Sequence, residues 1–179
     1  MEGKLMNTAL LVIDVQNALV LSKKPELYDR DAVIANIADV IRKARLQNVP
    51  IIYIRHESKA GSPLAYGTDG WKVYEGVAPE KGDIMVGKST PDAFKDTTLR
   101  EELEEHGIDS LIILGLQTEF CVNATVRRAV ALGYNTTVVS DAHSTFDRWP
   151  LKAETMIARH DLDWGKLHVK LVKADEIEF

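Results

Sequence analysis

The sequence predicts a three-layer α/β/α sandwich built on a doubly wound, mainly parallel six-stranded sheet. Three observations predict it. Six short apolar or β-branched runs recur along the 179 residues, most of the segments between them carry helical periodicity, and the first run is apolar throughout, as in a strand buried on both faces. Parallel strands need crossover connections and helices are the usual crossovers, so the alternation implies a Rossmann-like sheet covered on both sides. The length and the 45% hydrophobic, 27% charged composition suit one domain spanning residues 1–179 with a full core.

The elements follow in order. TALLVID, residues 8–14, is the first strand and ends on an acidic residue. From Asp29 to Gln47, the residues Val33, Ile34, Ile37, Val40, Ile41 and Ala44 recur at three- and four-residue steps, which predicts an amphipathic helix with Asp29 at its N-cap. VPIIYIR (49–55) and DIMVG (83–87) are the next strands. The segment 56–82 between them is rich in Gly, Pro and polar residues, and loops of that length in compact domains tend to serve function. A helix over 97–106 closed by Gly107, a strand over 110–115 and a helix from Glu119 to Leu132 closed by Gly133 come next. A β-branched strand (135–141), a helix (151–161) and an alternating edge strand (166–172) complete the pattern.

Charge narrows the function. With 22 basic and 27 acidic residues the net charge is −5, and no Lys/Arg run supplies the dense basic face that nucleic acid or an anionic membrane requires. The apolar run before Asp14, of about seven residues, is too short for a signal-peptide core or a membrane span, so a cytoplasmic location is expected. One cysteine permits no internal disulfide, and five histidines without Cys/His spacing predict no structural zinc. DVQNALV follows the first strand where a nucleotide-binding fold would carry GxGxxG.

In doubly wound sheets, ligands bind at the carboxyl ends of the strands. Asp14 ends the first strand, Lys88 follows the third and Cys121 follows the fourth. Taken alone, a free cysteine is more often a buried filler. Placed as the third residue of a helix capped by Thr118, Cys121 would lie near unpaired N–H groups and the positive end of the dipole, which favour a thiolate. Asp14 could cap a turn, or, at the edge of an apolar strand, take the thiol proton. Lys88, before a Ser-Thr-Pro turn, should point across the same rim and favour the ionised forms of both.

LLVIDVQN, VGKSTPDAF and GLQTEFCVNATVRRAVALGY, in that order and spacing, resemble the cysteine-hydrolase branch of the isochorismatase-like hydrolases, which includes nicotinamidases and N-carbamoylsarcosine amidohydrolases. The resemblance spans nearly the whole chain. It implies an Asp14–Lys88–Cys121 triad that cleaves an amide-like C–N bond of a small molecule through a thioester. It further implies a cis peptide joining Leu116 to Gln117, an oxyanion hole made by the N–H groups of Gln117 and Cys121, and a homo-oligomer.

Two departures matter. Metal-dependent nicotinamidases carry an Asp/His cluster after the second strand, whereas RHESKAGSP offers only His56, so no catalytic metal and no cofactor is expected. Relatives often place an aromatic residue soon after the DVQN segment; here Ala18, Leu19 and Val20 stand there, which argues against nicotinamide. His56, Trp71 and Phe120 are the candidate substrate contacts; the plainer readings are a hydrogen-bonded structural histidine, a tryptophan that packs the loop down and a phenylalanine that covers the sheet. Glu119 either satisfies the helix dipole or charges the pocket mouth, and Asp141 and His143 are expected to organise their loop. Two other readings stand beside the amidase. One is isochorismatase-type vinyl-ether hydrolysis, which uses Asp14 without the cysteine. The other is a non-catalytic small-ligand-binding protein.

Overall fold

A computed structural model describes residues 7–179. Its strands are β1 (Thr8–Ile13), β2 (Ile51–His56), β3 (Ile84–Lys88), β4 (Ser110–Leu116), β5 (Asn135–Ser144) and β6 (Lys170–Val172). They form one sheet in the order β3-β2-β1-β4-β5-β6, and every pairing in it is parallel. The helices are α1 (Asn17–Val20), α2 (Arg30–Leu46), α3 (Leu99–Glu105), α4 (Asn123–Ala131) and α5 (Ala153–Gly165).

Side-chain alternation along the strands divides the core in two. On one face Val33, Ile37, Val40, Ile41 and Ala44 of α2 pack on Leu10, Val12, Ile51 and Tyr53. On the other, Leu99 and Leu103 of α3, Val126 and Ala129 of α4 and Trp164 of α5 pack on Ala9, Leu11, Ile13, Ile52 and Ile54. Ala9 to Ile13 are at most 1% exposed, which is why β1 carries no polar residue between Thr8 and its end. The sheet reverses its winding between β1 and β4, and the crevice beyond their carboxyl ends is where such a fold receives a ligand.

Several local expectations are corrected. Asp29 occupies the N-cap position of α2 but adopts φ 48° and makes no capping hydrogen bond with its side chain. Lys88 is the last residue of β3 rather than the residue after it. The segment before Asn123 is a π-helical turn, Thr118–Val122, and α4 begins only after it. The last strand is confined to Lys170–Val172, because α5 continues to Gly165 and the N–H groups of Leu167 and Val169 fold back onto the Trp164 carbonyl.

The segment after β2 is stitched down rather than free. Asn17 N–H donates to Lys72 O, Ala18 N–H to Gly70 O and Tyr74 N–H to Val15 O, each at 2.9 Å. Among the described residues no helix is long and apolar enough to cross a membrane.

Gly115 holds the centre of the rim. Its φ is +127°, and a Cβ there would sit 2.1 Å from Ile13 O on the neighbouring strand. Both the backbone conformation and the contact exclude a side chain. Gly115→Ala is expected to cost roughly 3 kcal/mol or more, read as a fall in the denaturant midpoint. An unchanged midpoint would refute the tight β1–β4 contact.

Candidate active site

The strands themselves deliver two of the groups. His56 and Lys88 are register partners at the ends of β2 and β3, on the face that carries Ile52, Ile54 and Val86. Their side chains therefore meet, with Lys88 Nζ 3.1 Å from His56 Nδ1. Asp14 arrives differently. Strict alternation would send it to the opposite face with Leu10 and Val12, but its φ of 50° breaks the extended backbone. Aspartate tolerates this left-handed conformation better than most residues. The result is an Asp14 Oδ2–Lys88 Nζ ion pair of 2.8 Å, with both side chains at most 1% exposed.

Cys121 comes from β4. After Leu116 the chain passes through a cis Leu116–Gln117 peptide into the π-helical turn, which carries the half-buried cysteine. Lys88 Nζ donates to its Sγ at 3.1 Å. An ammonium has three N–H donors, and all three are used here: one to a carboxylate, one to a sulfur and one to an imidazole. Asp14 Oδ1 is buried and without a hydrogen-bond partner among the described residues. A strand-end rule thus nominated Asp14, Lys88 and Cys121, and the structure brings them together with His56.

The acidity of Cys121 runs opposite to the sequence expectation. Burial and the Asp14 charge push the thiol up to about 12, with Lys88 opposing. Thr118 is not the cap that the expectation required, since its hydroxyl bonds the His143 ring. Desolvation in this crevice outweighs the helix end, so the resting sulfur is a thiol beside a carboxylate. Burial first, and the Lys88 charge second, hold the His56 imidazole below 6.5, with Asp14 opposing. His56 is neutral at neutral pH. The unfolded chain takes up this proton near 6.5 and the folded protein resists it, so the stability contribution is full above that value and lost as pH falls. Thermal unfolding on either side of that pH checks the sign, because His56→Gln should lose less stability on acidification than wild type does.

Ligand atoms of Asp14, His56 and Cys121 lie within 4.8 Å of one another, a spacing that could hold a metal. The Lys88 ammonium is bonded to all three residues, so the positive charge among them is already supplied. While Lys88 stands there the trio does not fit a metal.

The turn that carries Cys121 is braced by contacts that the sequence pattern did not give. Thr118 Oγ1 lies 2.9 Å from His143 Nδ1, and His143 Nε2 lies 3.1 Å from Asp161 Oδ1 on α5. Trp164 Nε1 donates to Asn123 Oδ1 at 3.0 Å. Arg148 donates to Gln117 Oε1, pairs with Glu119 and lies over the Phe120 ring. Gln16 joins β2 to the long segment: its Nε2 donates to the carbonyls of His56 and Trp71, and its Oε1 accepts from His56 N–H. None of these partners is near its mate in sequence, so no local signal could have revealed them.

The remaining nominated residues divide. Asp141 and His143, expected to organise a loop after a strand ending at residue 141, lie instead within β5, which runs on to Ser144: Asp141 accepts from Ala174 N–H, and the His143 ring bonds Thr118 and Asp161 rather than a loop of its own. Trp71 packs between Arg55 and Tyr66, and Phe120 is 40% exposed beneath Arg148. Neither lines the cavity of about 930 Å³ that reaches Lys88, whereas His56 does, with Lys59, Ser62, Ser89 and Asp96. A smaller concavity near Tyr28 and Asp147 contains none of Asp14, Lys88 and Cys121.

Known proteins share this framework. The chain is 34% identical over 139 residues to streptothricin hydrolase of Streptomyces noursei, covering 78% of this chain and 55% of that protein. It is 32% identical over 155 residues to nicotinamidase 3 of Arabidopsis thaliana, covering 78% of this chain and 74% of that one. An isochorismatase structure from Pseudomonas putida superposes with a TM-score of 0.86 at 30% identity, covering 98% of this chain and 92% of the other. The isochorismatase domain matches residues 8–160, and on that match, with the parallel sheet and the relatives above, the chain belongs to the isochorismatase family of hydrolases.

Proposed function

We propose that this protein is a metal-independent cysteine hydrolase that cleaves the C–N bond of a small amide through a thioester, with Asp14, Lys88 and Cys121 as the reacting groups. The observation that carries the reading is the buried Lys88 ammonium, bonded at once to Asp14 Oδ2 at 2.8 Å and to Cys121 Sγ at 3.1 Å. The names of two relatives, a nicotinamidase and a streptothricin hydrolase, support hydrolysis of such a substrate.

In this mechanism Asp14 and Cys121 share one proton and one negative charge above a fixed cation. As Sγ attacks the carbonyl carbon, the thiol proton passes to Asp14 and the charge moves to the substrate oxygen. The Gln117 and Cys121 N–H groups would stabilise that oxyanion. The C–N bond then breaks, with Asp14 returning its proton to the departing nitrogen. Asp14 next deprotonates water, which attacks the thioester; the C–S bond breaks and the proton returns to sulfur. Lys88 offsets the negative charge throughout, so no step leaves a buried charge unpaired. A pKa of about 12 for Cys121 is compatible with this route, because a thiolate is needed only during attack.

A screen of small amides for ammonia release, run with a chelator on wild type and Asp14→Asn, tests the reading. Asp14→Asn should lower turnover at least about a thousandfold, since it removes the base for both half-reactions. The same change should speed alkylation of Cys121 by iodoacetamide, because the Asp14 charge is the second cause of the raised thiol pKa and Lys88 then faces the sulfur alone. Turnover that survives in Asp14→Asn would overturn the mechanism.

A further inference from the structure

His56 stands at a junction that the triad does not explain. Its Nδ1 lies 3.1 Å from Lys88 Nζ, and an ammonium can only donate, so Nδ1 is the acceptor and the ring proton resides on Nε2. Nε2 has no hydrogen-bond partner among the described residues, and His56, half-buried, is a lining residue of the cavity that reaches Lys88. The ring thus has one donor left for a ligand and no acceptor. The surroundings sharpen this. Besides Gly87, that cavity, which meets the triad at Lys88 and not at Asp14 or Cys121, is lined only by charged, hydroxyl-bearing and imidazole residues, so a group reaching past His56 into it meets polar side chains and no aromatic or branched aliphatic one.

Geometry sets where the donor acts. A ring nitrogen of His56 lies within 4.8 Å of Cys121 Sγ. A carbonyl carbon poised for attack sits roughly 3–3.5 Å from the sulfur, which leaves its α substituent within reach of the imidazole. Resting on the amide-hydrolase reading above, we infer that His56 selects the substrate: locked as the neutral Nε2–H tautomer, it donates to an oxygen on the carbon next to the scissile carbonyl of a hydrophilic amide. Lys88 thereby has a second task, because its third N–H fixes the tautomer that reads the substrate. The preferred class is the α-hydroxy or α-keto amides rather than aromatic or alkyl amides.

Glycolamide and propionamide, which exchange a hydroxyl for a methyl, test this directly. Wild type should favour glycolamide by roughly tenfold in kcat/KM, the value of one neutral hydrogen bond. His56→Ala should erase that ratio chiefly by raising KM for glycolamide, and His56→Gln, which retains one acceptor and one donor, should restore part of it. A purely structural His56 would slow both amides alike, and an unchanged ratio in His56→Ala overturns the inference. Nitrogen-15 NMR of wild type at neutral pH reads the tautomer without any turnover. A proton on Nε2 that glycolamide shifts and propionamide does not supports the inference even if neither amide is hydrolysed, which would count against the hydrolase reading alone. A proton on Nδ1, or no shift, overturns it.

Discussion

Cys121→Ala is expected to reduce amide turnover about ten-thousand-fold or more while leaving the protein folded. In the proposed route the sulfur forms the bond to carbon, so no neighbouring group can replace it. Its structural role is minor by comparison. It is half-buried and packs only at the margin of the core that α3, α4 and α5 share with the sheet. Lys88 loses one of three partners but keeps Asp14 and His56, so the folding penalty should be about 1 kcal/mol. Circular dichroism and a denaturant titration check the fold, and ammonia release checks the chemistry. The variant also separates two reactions. Vinyl-ether hydrolysis with Asp14 alone needs no sulfur, so activity that persists in Cys121→Ala would favour it over the thioester route.

Lys88→Met should damage both fold and activity. Removing the ammonium leaves Asp14, 1% exposed, without its counter-charge, and breaking one partner of a buried pair costs about 3–5 kcal/mol. Methionine fills much of the space, so the loss reports charge rather than volume. The second variant in this experiment is Asp14→Asn combined with Lys88→Met. It removes both charges and should recover most of the stability, because an uncharged pair leaves no buried ion unpaired. It should recover none of the turnover. Stability that stays low in the double variant would mean that Lys88 supports the fold by its three hydrogen bonds rather than by neutralising Asp14.

How far the site could be read without coordinates depends on the kind of signal each residue leaves. Asp14, Lys88 and Cys121 were open to selection because each ends or follows an apolar run, and apolar runs are local. Arg148 and Asp161 were not. They brace the cysteine turn from segments far away in sequence, and only packing brings Arg148 to Gln117 and Glu119, or Asp161 to His143. The acidity of Cys121 was misjudged for a related reason. A helix start is visible in a string of residues, but the dryness of the crevice and the distance to a carboxylate are not, and these decide the sign.

The same division holds for the molecule. Periodicity and strand-end chemistry determined the α/β class, the run of elements and the rim on which polar groups gather, because these follow from neighbours along the chain. The folded arrangement alone decided the β2–β3 register that sets His56 against Lys88, the left-handed turn that re-aims Asp14, and the contact of Lys88 with the ring. Hydrogen-bond valence and local dielectric belong to atoms that touch. Three N–H bonds from one buried ammonium find their acceptors only after strands far apart in the chain have been laid side by side.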